Sequence, residues 1–167
     1  MKRQRKKYQT PTRPWDKERI ESERTILKNF GLKSKREIWK TQATLRKYRR
    51  LARELAARQD EKKEKVLMER LTRFGLVTKD ASLDTILDLT IEDFLNRRLQ
   101  TLLHKKGLSN TPKQARQFIT HGQVLIDSRK VTYPSYMVPV DEEDKIIIKI
   151  TPVKKSLVSG VNGGTAS

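Results

Sequence analysis

The stretch NTPKQARQFITHGQV, residues 110–124, places four hydrogen-bond donors at helical spacing. Positions i, i+3, i+4 and i+7 lie on one face of a helix, so these side chains should project together. They are Lys113, Arg116, Gln117 and Thr120. Arginine offers a planar fork to phosphate and lysine a point charge, whereas Gln and Thr can reach base edges or ribose hydroxyls. The pattern indicates a helix face that binds a nucleic acid, without choosing between RNA and DNA.

Further polar and basic side chains lie on both sides of this stretch. They are Arg97, Arg98, Thr101 and Lys105 before it, and Arg129 and Lys130 after it. By spacing, we expect the first four to project together from one flank of the preceding helix. Residues 97–130 hold eight Lys and Arg against one acidic residue, Asp127. Because no carboxylate lies between residues 97 and 126, we expect one cationic platform, free of the molecule's own carboxylates, for a phosphate polymer.

Capping signals predict the helix that carries the four donors. Thr111 and Gln114 form a capping-box pattern, and Pro112 stands at the first helical position. Gly122 supplies a stop. The opposite, apolar face consists of Ala115, Phe118 and Ile119.

The preceding helix is predicted to run without interruption over residues 90–106. Thr90 and Asp93 give it a capping-box pattern, and Gly107 closes it. Its apolar positions follow helical spacing: Ile91, Phe94, Leu95, Leu99, Leu102 and Leu103.

Strand-like alternation follows residue 122. The segments QVLID and KVTY flank residues 127–129, which predicts a hairpin, and DEEDKIIIKI ends as a β-branched strand. The expected fold class is α+β: a helical N-terminal region with an extended basic arm, then two short helices packed on a small sheet.

The first 14 residues are basic, contain Pro11 and Pro14, and lack apolar periodicity. We interpret them as an extended arm that orders against a partner, with Trp15 anchoring its end. Residues 1–58 carry 20 Lys and Arg against 6 Asp and Glu, so positive charge is concentrated here as well as in residues 97–130.

Helical patterns then follow one another. The first covers residues 15–30 and ends at Gly31; Ser34 and Glu37 form a capping-box pattern that begins a long second helix. Its apolar stripe is Ile38, Leu45, Tyr48, Leu51, Ala52 and Leu55. Its remaining faces carry Arg46, Lys47, Arg49, Arg50, Arg53 and Arg58. Because the anions needed for pairing within the helix are nearly missing, we interpret these cations as contacting phosphate rather than as a solvated face.

Two further helices, ending near residues 74 and 89, have mixed charge and are predicted to build a core. The first should turn four apolar side chains inward: Val66, Leu67, Leu71 and Phe74. Gly75 ends it, and residues 80–89 form the second.

Several classes of site and protein are not expected. The chain has no cysteine, and His104 and His121 lack a convincing third ligand, so neither a metal nor any other cofactor is predicted. No apolar run reaches about 18 residues, and the basic start has no apolar stretch behind it, so we expect an intracellular protein without a membrane partner.

Residues 97–138 resemble the S-four RNA-binding domain, a compact module of α-helices and a β-hairpin. The matching features are the opening RRLQ, the helix ARQFITHG, the strand–turn–strand after it and the triplet PSY. The segments RKKYQTPTRPW, GLKSKREIWK and LDLTIEDFLNRRLQT are similar to the small-subunit ribosomal proteins of the S-four family in their archaeal and eukaryotic form. The resemblance covers about residues 2–150, and the HG at 121–122 is closer to archaeal members.

This sequence departs from the family in two places. The hairpin carries DSRK where members often carry Asn-Gly, so we expect a looser turn or another turn type. The N-terminal zinc cluster of bacterial relatives requires cysteine, which this chain lacks.

The resemblance implies a structural constituent of the small ribosomal subunit that binds small-subunit ribosomal RNA directly at a multi-helix junction. It also implies that the protein nucleates subunit assembly and contributes to decoding accuracy. Its partners would be this RNA, neighbouring small-subunit ribosomal proteins, and messenger RNA where the messenger enters the subunit. The protein would then reside in the cytoplasm, in the ribosome.

Carried onto this sequence, the family's contact surface comprises Arg97, Arg98, Lys105, Thr111, Lys113, Gln114, Arg116, Gln117, His121, Arg129 and Lys130. The arm and the long helix add Lys2, Arg3, Arg5, Lys6, Lys7, Arg46, Lys47, Arg49, Arg50 and Arg53. Tyr133, Ser135 and Tyr136 either extend this surface or pack in the domain core. His121 would contact RNA or the last carbonyls of its helix, and Gly122 would be structural.

Two other functions are compatible with an S-four domain. An RNA-modifying enzyme, a pseudouridine synthase or methyltransferase, needs a further catalytic domain, but residues 1–90 contain two isolated glycines and no cofactor loop. Asp80, Asp84 and Asp88 recur every four positions, as on a solvated helix face. An RNA-binding protein that acts on stalled subunits would lack the long helical N-terminal part. DNA binding is the weakest alternative.

The expected organisation has four parts. Residues 1–14 form the basic arm, 15–90 a helical N-terminal domain, 91–152 the S-four domain and 153–167 a flexible tail.

Overall fold

The computed structural model describes residues 6–78 and 81–149 of the 167-residue chain. Within these residues the helices are α1 (Lys17–Asn29), α2 (Lys35–Arg58), α3 (Glu61–Arg73), α4 (Leu83–Asp88), α5 (Ile91–Asn96), α6 (Leu99–Lys105), α7 (Pro112–Thr120) and α8 (Val140–Glu143). The strands are β1 (Val124–Ile126), β2 (Arg129–Lys130) and β3 (Ile146–Ile148). Helices come first and a small antiparallel sheet follows α7, so the predicted α+β class is confirmed.

A glycine turn joins α1 to α2. The carboxylate of Asp16 caps α1 by accepting the N–H of Arg19, and Gly31 follows the helix with a φ of +58°. A Cβ at Gly31 would lie 2.8 Å from Cβ of Pro112 in the first turn of α7. Only glycine fits both the left-handed backbone and this close approach, so the turn brings the start of α2 next to α7.

Helix α2 carries the apolar stripe predicted from the sequence. Ile38, Leu45, Ala52 and Leu55 are buried, and Tyr48 and Leu51 pack beside them. Most of this stripe meets α3, α4 and α5 in one cluster that includes Leu67, Leu71, Ile86, Leu89 and Phe94. Burying one such aliphatic side chain contributes about 1.5–3 kcal/mol, so this cluster is what holds the helices together.

Two side chains predicted to pack lie in solvent instead. Val66 is 66% exposed, because it lies one residue from the buried Leu67 and therefore turns away from the core. Trp15 is 88% exposed and does not anchor the arm. In the described part of the arm it is Tyr8 that packs, with its ring centroid 5.8 Å from that of Trp39 on α2.

The helix predicted over residues 90–106 is wrong in one respect: it is broken in two. The capping box of Thr90 and Asp93 begins α5 as predicted, but Arg98 has an extended backbone (φ −77°, ψ 143°) and forms a β-bridge with Met137. The N–H of Leu99 donates to Tyr136 O at 2.8 Å, on the same partner segment. Backbone pairing to a segment about 40 residues later thus replaces helical hydrogen bonds at this point.

The sheet has the strand order β2–β1–β3, with both pairs antiparallel. Its hairpin turn has left-handed backbone at both central residues, Asp127 (φ 48°) and Ser128 (φ 68°). That is the conformation of a tight type I′ turn, in which Asp tolerates positive φ. The expectation of a looser turn is therefore wrong.

A second core lies between the sheet and the helices α6 and α7. It contains Leu99, Leu102, Leu103, Ala115, Ile119, Val124, Ile126, Val138 and Ile146. The α6–α7 pair and the hairpin are therefore fixed relative to each other by apolar packing, and their outer surfaces can act together.

Candidate nucleic-acid interface

The first turn of α7 is capped largely as its sequence predicts. Thr111 Oγ1 accepts the N–H of Gln114 at 3.2 Å, and Pro112 occupies the first helical position. The Gln114 side chain reaches back to the N–H of Asn110 at 2.9 Å, one residue before the cap. Thr111 and Gln114 are thus committed to holding the helix.

The predicted donor row on α7 is divided between two tasks. Lys113 and Gln117 are exposed and make no side-chain hydrogen bond to the described residues. The hydroxyl of Thr120 donates to the carbonyl of Arg116 at 3.0 Å, within the helix. The Arg116 guanidinium turns instead to a carboxylate of α2.

That carboxylate belongs to Glu37, in the first turn of α2. Arg98 Nη2 donates to Glu37 Oε2 at 2.7 Å, and Arg116 Nη2 donates to Oε1 at 2.9 Å. Burial raises the pKa of Glu37, but the hydrogen bonds and charges of Arg116 and Arg98 outweigh it and hold the pKa below its ordinary value of 4.5. Glu37 is therefore ionised at neutral pH and neutralises part of both arginines.

The predicted capping box of Ser34 and Glu37 is wrong. Ser34 is the N-cap of α2, but its side chain makes no capping hydrogen bond. Glu37 Oε1 accepts the N–H of Lys33 at 3.2 Å, while the rest of the carboxylate serves the arginines.

Gln100, buried on α6, joins the same three elements. Its Nε2 lies within 3.1 Å of the carbonyl oxygens of Phe30, Gly31 and Pro112, and its Oε1 accepts from Arg116 Nη1 at 3.3 Å. The start of α2, α6 and α7 are therefore joined by one network of polar bonds.

Arg97 is also engaged inside the molecule. Its Nη1 donates to Glu143 Oε2 at 2.8 Å and its Nη2 to the carbonyl of Val138 at 3.2 Å. The expectation that the platform is free of the molecule's own carboxylates is therefore wrong for Arg97, Arg98 and Arg116. The sequence around them contains no acid, but the fold brings acids from residues 37 and 143.

The side chains expected along one flank of α6 do not project together. Arg98 is 6% exposed and Thr101 is buried, whereas Lys105 is exposed. The break at Arg98 changes the helical phase, so the spacing that predicted a common flank does not apply across it.

Exposed cations remain on the hairpin. Arg129 and Lys130 are both exposed, and a Cβ at Gly122 would lie 1.8 Å from Cε of Lys130. The Lys130 side chain therefore lies across the end of α7. His121, the C-cap of α7, donates its backbone N–H to Gln117 O, and its side chain is exposed.

The PSY segment has two different tyrosines. Tyr133 is 72% exposed. Tyr136 packs against the second core and donates its hydroxyl to Glu142 Oε2 at 2.8 Å. Burial and the neighbouring Glu142 both raise the pKa of Tyr136, so it stays a neutral donor. Ser135 is exposed between them.

The described end of the arm runs beside α2. Lys6 and Lys7 are exposed, and Gln9 Oε1 accepts from Arg46 Nη1 at 3.3 Å. On α2, Lys47, Arg50 and Arg53 are exposed as well, although Arg50 Nε lies 3.5 Å from Glu54. Arg49 instead donates to the carbonyl of Leu89 at 2.8 Å and so serves packing. Lys2, Arg3 and Arg5 lie outside the described residues, as do Asp80 and the tail at 153–167.

Comparison with known proteins adds a family to this geometry. The S4 domain family matches residues 97–144. The chain is 46% identical over 157 residues to "Small ribosomal subunit protein uS4" of Methanothermobacter thermautotrophicus, covering 92% of each chain. It is 48% identical over 159 residues to the protein of that name from Saccharolobus solfataricus, covering 93% of this chain and 88% of the relative.

The chain belongs to the uS4 family. The resemblance seen in the sequence is thereby confirmed, including its archaeal character. The S-four match spans α6, α7, the hairpin and α8, and leaves α1 to α5 outside it.

Two further searches of this uS4 chain gave negative findings. No group of three His, Cys, Asp or Glu that could hold a metal ion occurs within residues 6–78 and 81–149. Over those same residues, no helix has the length and hydropathy needed to cross a bilayer.

Sequence reasoning missed the roles of Glu37 and Gln100. A signal for Glu37 was present, because it is the one acidic residue between Glu23 and Glu54, among eleven Lys and Arg. An isolated anion in so basic a segment indicates a carboxylate kept for a specific pairing. Gln100 carried no comparable signal, because its acceptors are backbone carbonyls.

Proposed function

We propose that this chain is a structural protein of the small ribosomal subunit and that it binds small-subunit ribosomal RNA in the cytoplasm. Relatives of this degree of identity carry the name of a small-subunit protein. The observation that carries the RNA-binding part is the exposure of Lys105, Lys113 and Lys130 around α7. Within the described residues none of these three has a carboxylate within 4.0 Å, so their charge is available to phosphate.

The interface that we propose has a held part and a contacting part. Lys105, Lys113, Gln117, His121 and Lys130 form the contacting part, because their side chains are exposed on one unit fixed by the second core. The held part is the predicted residues Arg97, Arg98, Thr111, Gln114 and Arg116. They fix the geometry of that unit, since each bonds within the protein, and Arg129 extends the contacting part onto the turn.

The family resemblance supports finer proposals. RNA binding would take place at a multi-helix junction, nucleate subunit assembly and contribute to decoding accuracy. Neighbouring small-subunit proteins and messenger RNA, where it enters the subunit, would be further partners. The arm and the exposed cations of α2 would form a second RNA contact, because Tyr8 and Gln9 hold the arm's described end beside Lys47 and Arg53.

The division of the chain also remains a proposal. We place an arm at 1–14, a helical unit from 15 and a tail at 153–167. The start of the S-four unit, expected at 91, is better placed at Arg97, because Phe94 and Leu95 pack in the helical clusters and the family match begins at 97.

Salt-dependent binding tests the proposed interface. Full-length protein and archaeal small-subunit ribosomal RNA transcribed in vitro are measured by filter binding at several salt concentrations. Lys113→Ala should weaken binding and reduce the salt slope by about one unit. Lys62→Ala on α3, an equally exposed lysine, is the matched control and should leave the slope unchanged. Equal slopes for both variants would remove α7 from the interface.

Sedimentation of lysate separates this function from the two others. A structural component co-migrates with small subunits at near-equal stoichiometry in all growth states. An RNA-modifying enzyme would be substoichiometric, and a factor for stalled subunits would associate only under stress.

A further inference from the structure

A cavity of about 600 Å³ lies where the N-terminal helices meet the S-four unit. It opens between the start of α2, the break that separates α5 from α6, and the segment after β2. Its lining includes Lys33, Lys40, Thr44, Arg98, Pro134 and Met137. Its volume falls within the range of about 300–1,000 Å³ typical of small-ligand sites, whereas the exposed lysines of α7 form no such recess.

The cavity has an excess of positive charge. Four cations line it, Lys33, Lys40, Arg98 and Arg116, against the single carboxylate of Glu37. Glu37 is already shared by the two arginines. Among the carboxylates of residues 6–78 and 81–149, none is ion-paired to Lys33 or Lys40. An anionic ligand would therefore be attracted to this recess.

Unused donors point to the same kind of ligand. Arg98 is 6% exposed, and its Nε is buried without a partner among the described residues. The adjacent N-cap of α2, Ser34, also lines the cavity and leaves its hydroxyl without a capping bond. A 24-residue helix that begins without a side-chain cap has first-turn N–H groups and a partial positive charge to offer to phosphate.

The opposite wall is apolar. Pro134, Met137 and Phe94 contribute it, and the backbone bridge of Arg98 to Met137 holds it at a fixed distance from the cations. A flat heterocycle attached to a phosphate matches this division, whereas inorganic phosphate alone would leave the apolar wall unused. Proteins that bind RNA commonly take up unpaired bases in this way.

We propose that this cavity receives one unpaired nucleotide of the bound RNA, with its phosphate on Lys33 and Lys40 and its base against Pro134 and Met137. The inference rests on the proposed binding of small-subunit ribosomal RNA and specifies a site for it away from α7. The nucleotide would sit between the two parts of the protein, so the RNA would bind both at once.

The first experiment fills the cavity without changing its charge. Thr44→Trp in the full chain should weaken binding of small-subunit ribosomal RNA about tenfold, the effect of losing one charge-assisted bond to phosphate. Thr25→Trp on α1 is the matched control, because both hydroxyls donate to the carbonyl four residues earlier on an outer helix face. Equal affinities of the two variants would overturn the proposal.

The second experiment identifies the occupant. The chain has no cysteine, so Ser135→Cys accepts a short photo-crosslinker at the cavity mouth alone. Irradiation of the complex should mark one unpaired nucleotide, mapped by primer extension, and Thr44→Trp should abolish the mark. Marks scattered over many nucleotides, or a mark unaffected by Thr44→Trp, would contradict the assignment.

Two arms separate this proposal from its neighbours. If millimolar AMP abolished the crosslink while RNA stayed bound, the cavity would belong to free nucleotides and the proposal would fail. RNA binding that depends on Lys113 but not on Thr44 would overturn the cavity site and leave the proposed function intact. Absence of any RNA binding by the unaltered chain would overturn both.

Discussion

Replacing Glu37 by Gln should destabilise the protein strongly although the two side chains have the same shape. The carboxylate bonds Arg98 at 2.7 Å and Arg116 at 2.9 Å, and these side chains are 7% and 24% exposed respectively. Without the anion, two neighbouring guanidinium groups lose their counter-charge in a largely dry site. Breaking such a buried pair costs about 3–5 kcal/mol, and the partial exposure of Arg116 favours the lower end, about 3 kcal/mol.

Urea unfolding followed by circular dichroism measures this loss. The midpoint should fall without a change of slope, and a 3 kcal/mol loss in a chain of this size should lower the melting temperature by about 6–12 °C. Glu54→Gln is the control, because its ion pair with Arg50 is well exposed, and it should change stability by less than about 0.5 kcal/mol. A Glu37→Gln midpoint equal to that of the control would refute the reasoning.

The pH dependence gives the same prediction a sign. The pKa of Glu37 is lower in the folded protein than its ordinary value of 4.5, so its ionisation stabilises the fold above that value. As the pH falls below 4.5 through the folded pKa, the carboxylate is protonated and this contribution is lost. The stability difference between the unaltered chain and Glu37→Gln should therefore be full at pH 7 and shrink below pH 4.5. A difference that stays constant down to pH 3 would show that charge is not its cause.

Three smaller predictions follow from local geometry. Thr111→Ala should cost about 1 kcal/mol of unfolding free energy through the lost cap and leave RNA affinity nearly unchanged. Gly122→Ala, at a φ of +68°, should cost about 1–2 kcal/mol and also displace Lys130, so it should weaken RNA binding at equal folding; affinity equal to that of the unaltered chain would contradict this. Tyr133→Ala should leave the melting temperature unchanged, whereas Tyr136→Ala should lower it, because only Tyr136 packs in the core.

Features set by neighbours in the sequence were predictable. Thr90 with Asp93, Pro112 at the start of α7 and glycine stops at positive φ depend on residues within four positions, and all appear as predicted. The stripe of α2 was predictable for the same reason, since helical periodicity is local.

Features set by distant partners were not predictable. The break at Arg98 is caused by pairing with Met137, which no periodicity within 90–106 encodes. Counting charges along 97–130 gave an uninterrupted cationic surface, yet Glu37 reaches Arg98 and Arg116 across 61 and 79 residues. Local charge counts measure which partners are near in sequence, whereas burial decides which partners are near in space.

The four arginines and four lysines of residues 97–130 divide by chemistry. Every arginine has a carboxylate of the protein within 4.0 Å: Arg97, Arg98, Arg116 and Arg129. Among the lysines of this segment, in the residues that the structure describes, Lys106 has one and the other three have none. The planar guanidinium holds a carboxylate in fixed geometry and loses little hydration on burial, so arginine suits the joints of the fold.

Lysine keeps a mobile, strongly hydrated charge, which suits a partner whose phosphates must be found rather than pre-positioned. The contact of Arg129 with Glu142, at 4.0 Å with the arginine side chain 76% exposed, is too weak to hold that arginine back. RNA affinity should therefore respond to Lys→Ala changes mainly through the salt slope, and to changes of Arg97, Arg98 or Arg116 mainly through stability. If Arg98→Ala lowered RNA affinity without lowering the melting temperature, this separation of the cations into joints and contacts would be wrong.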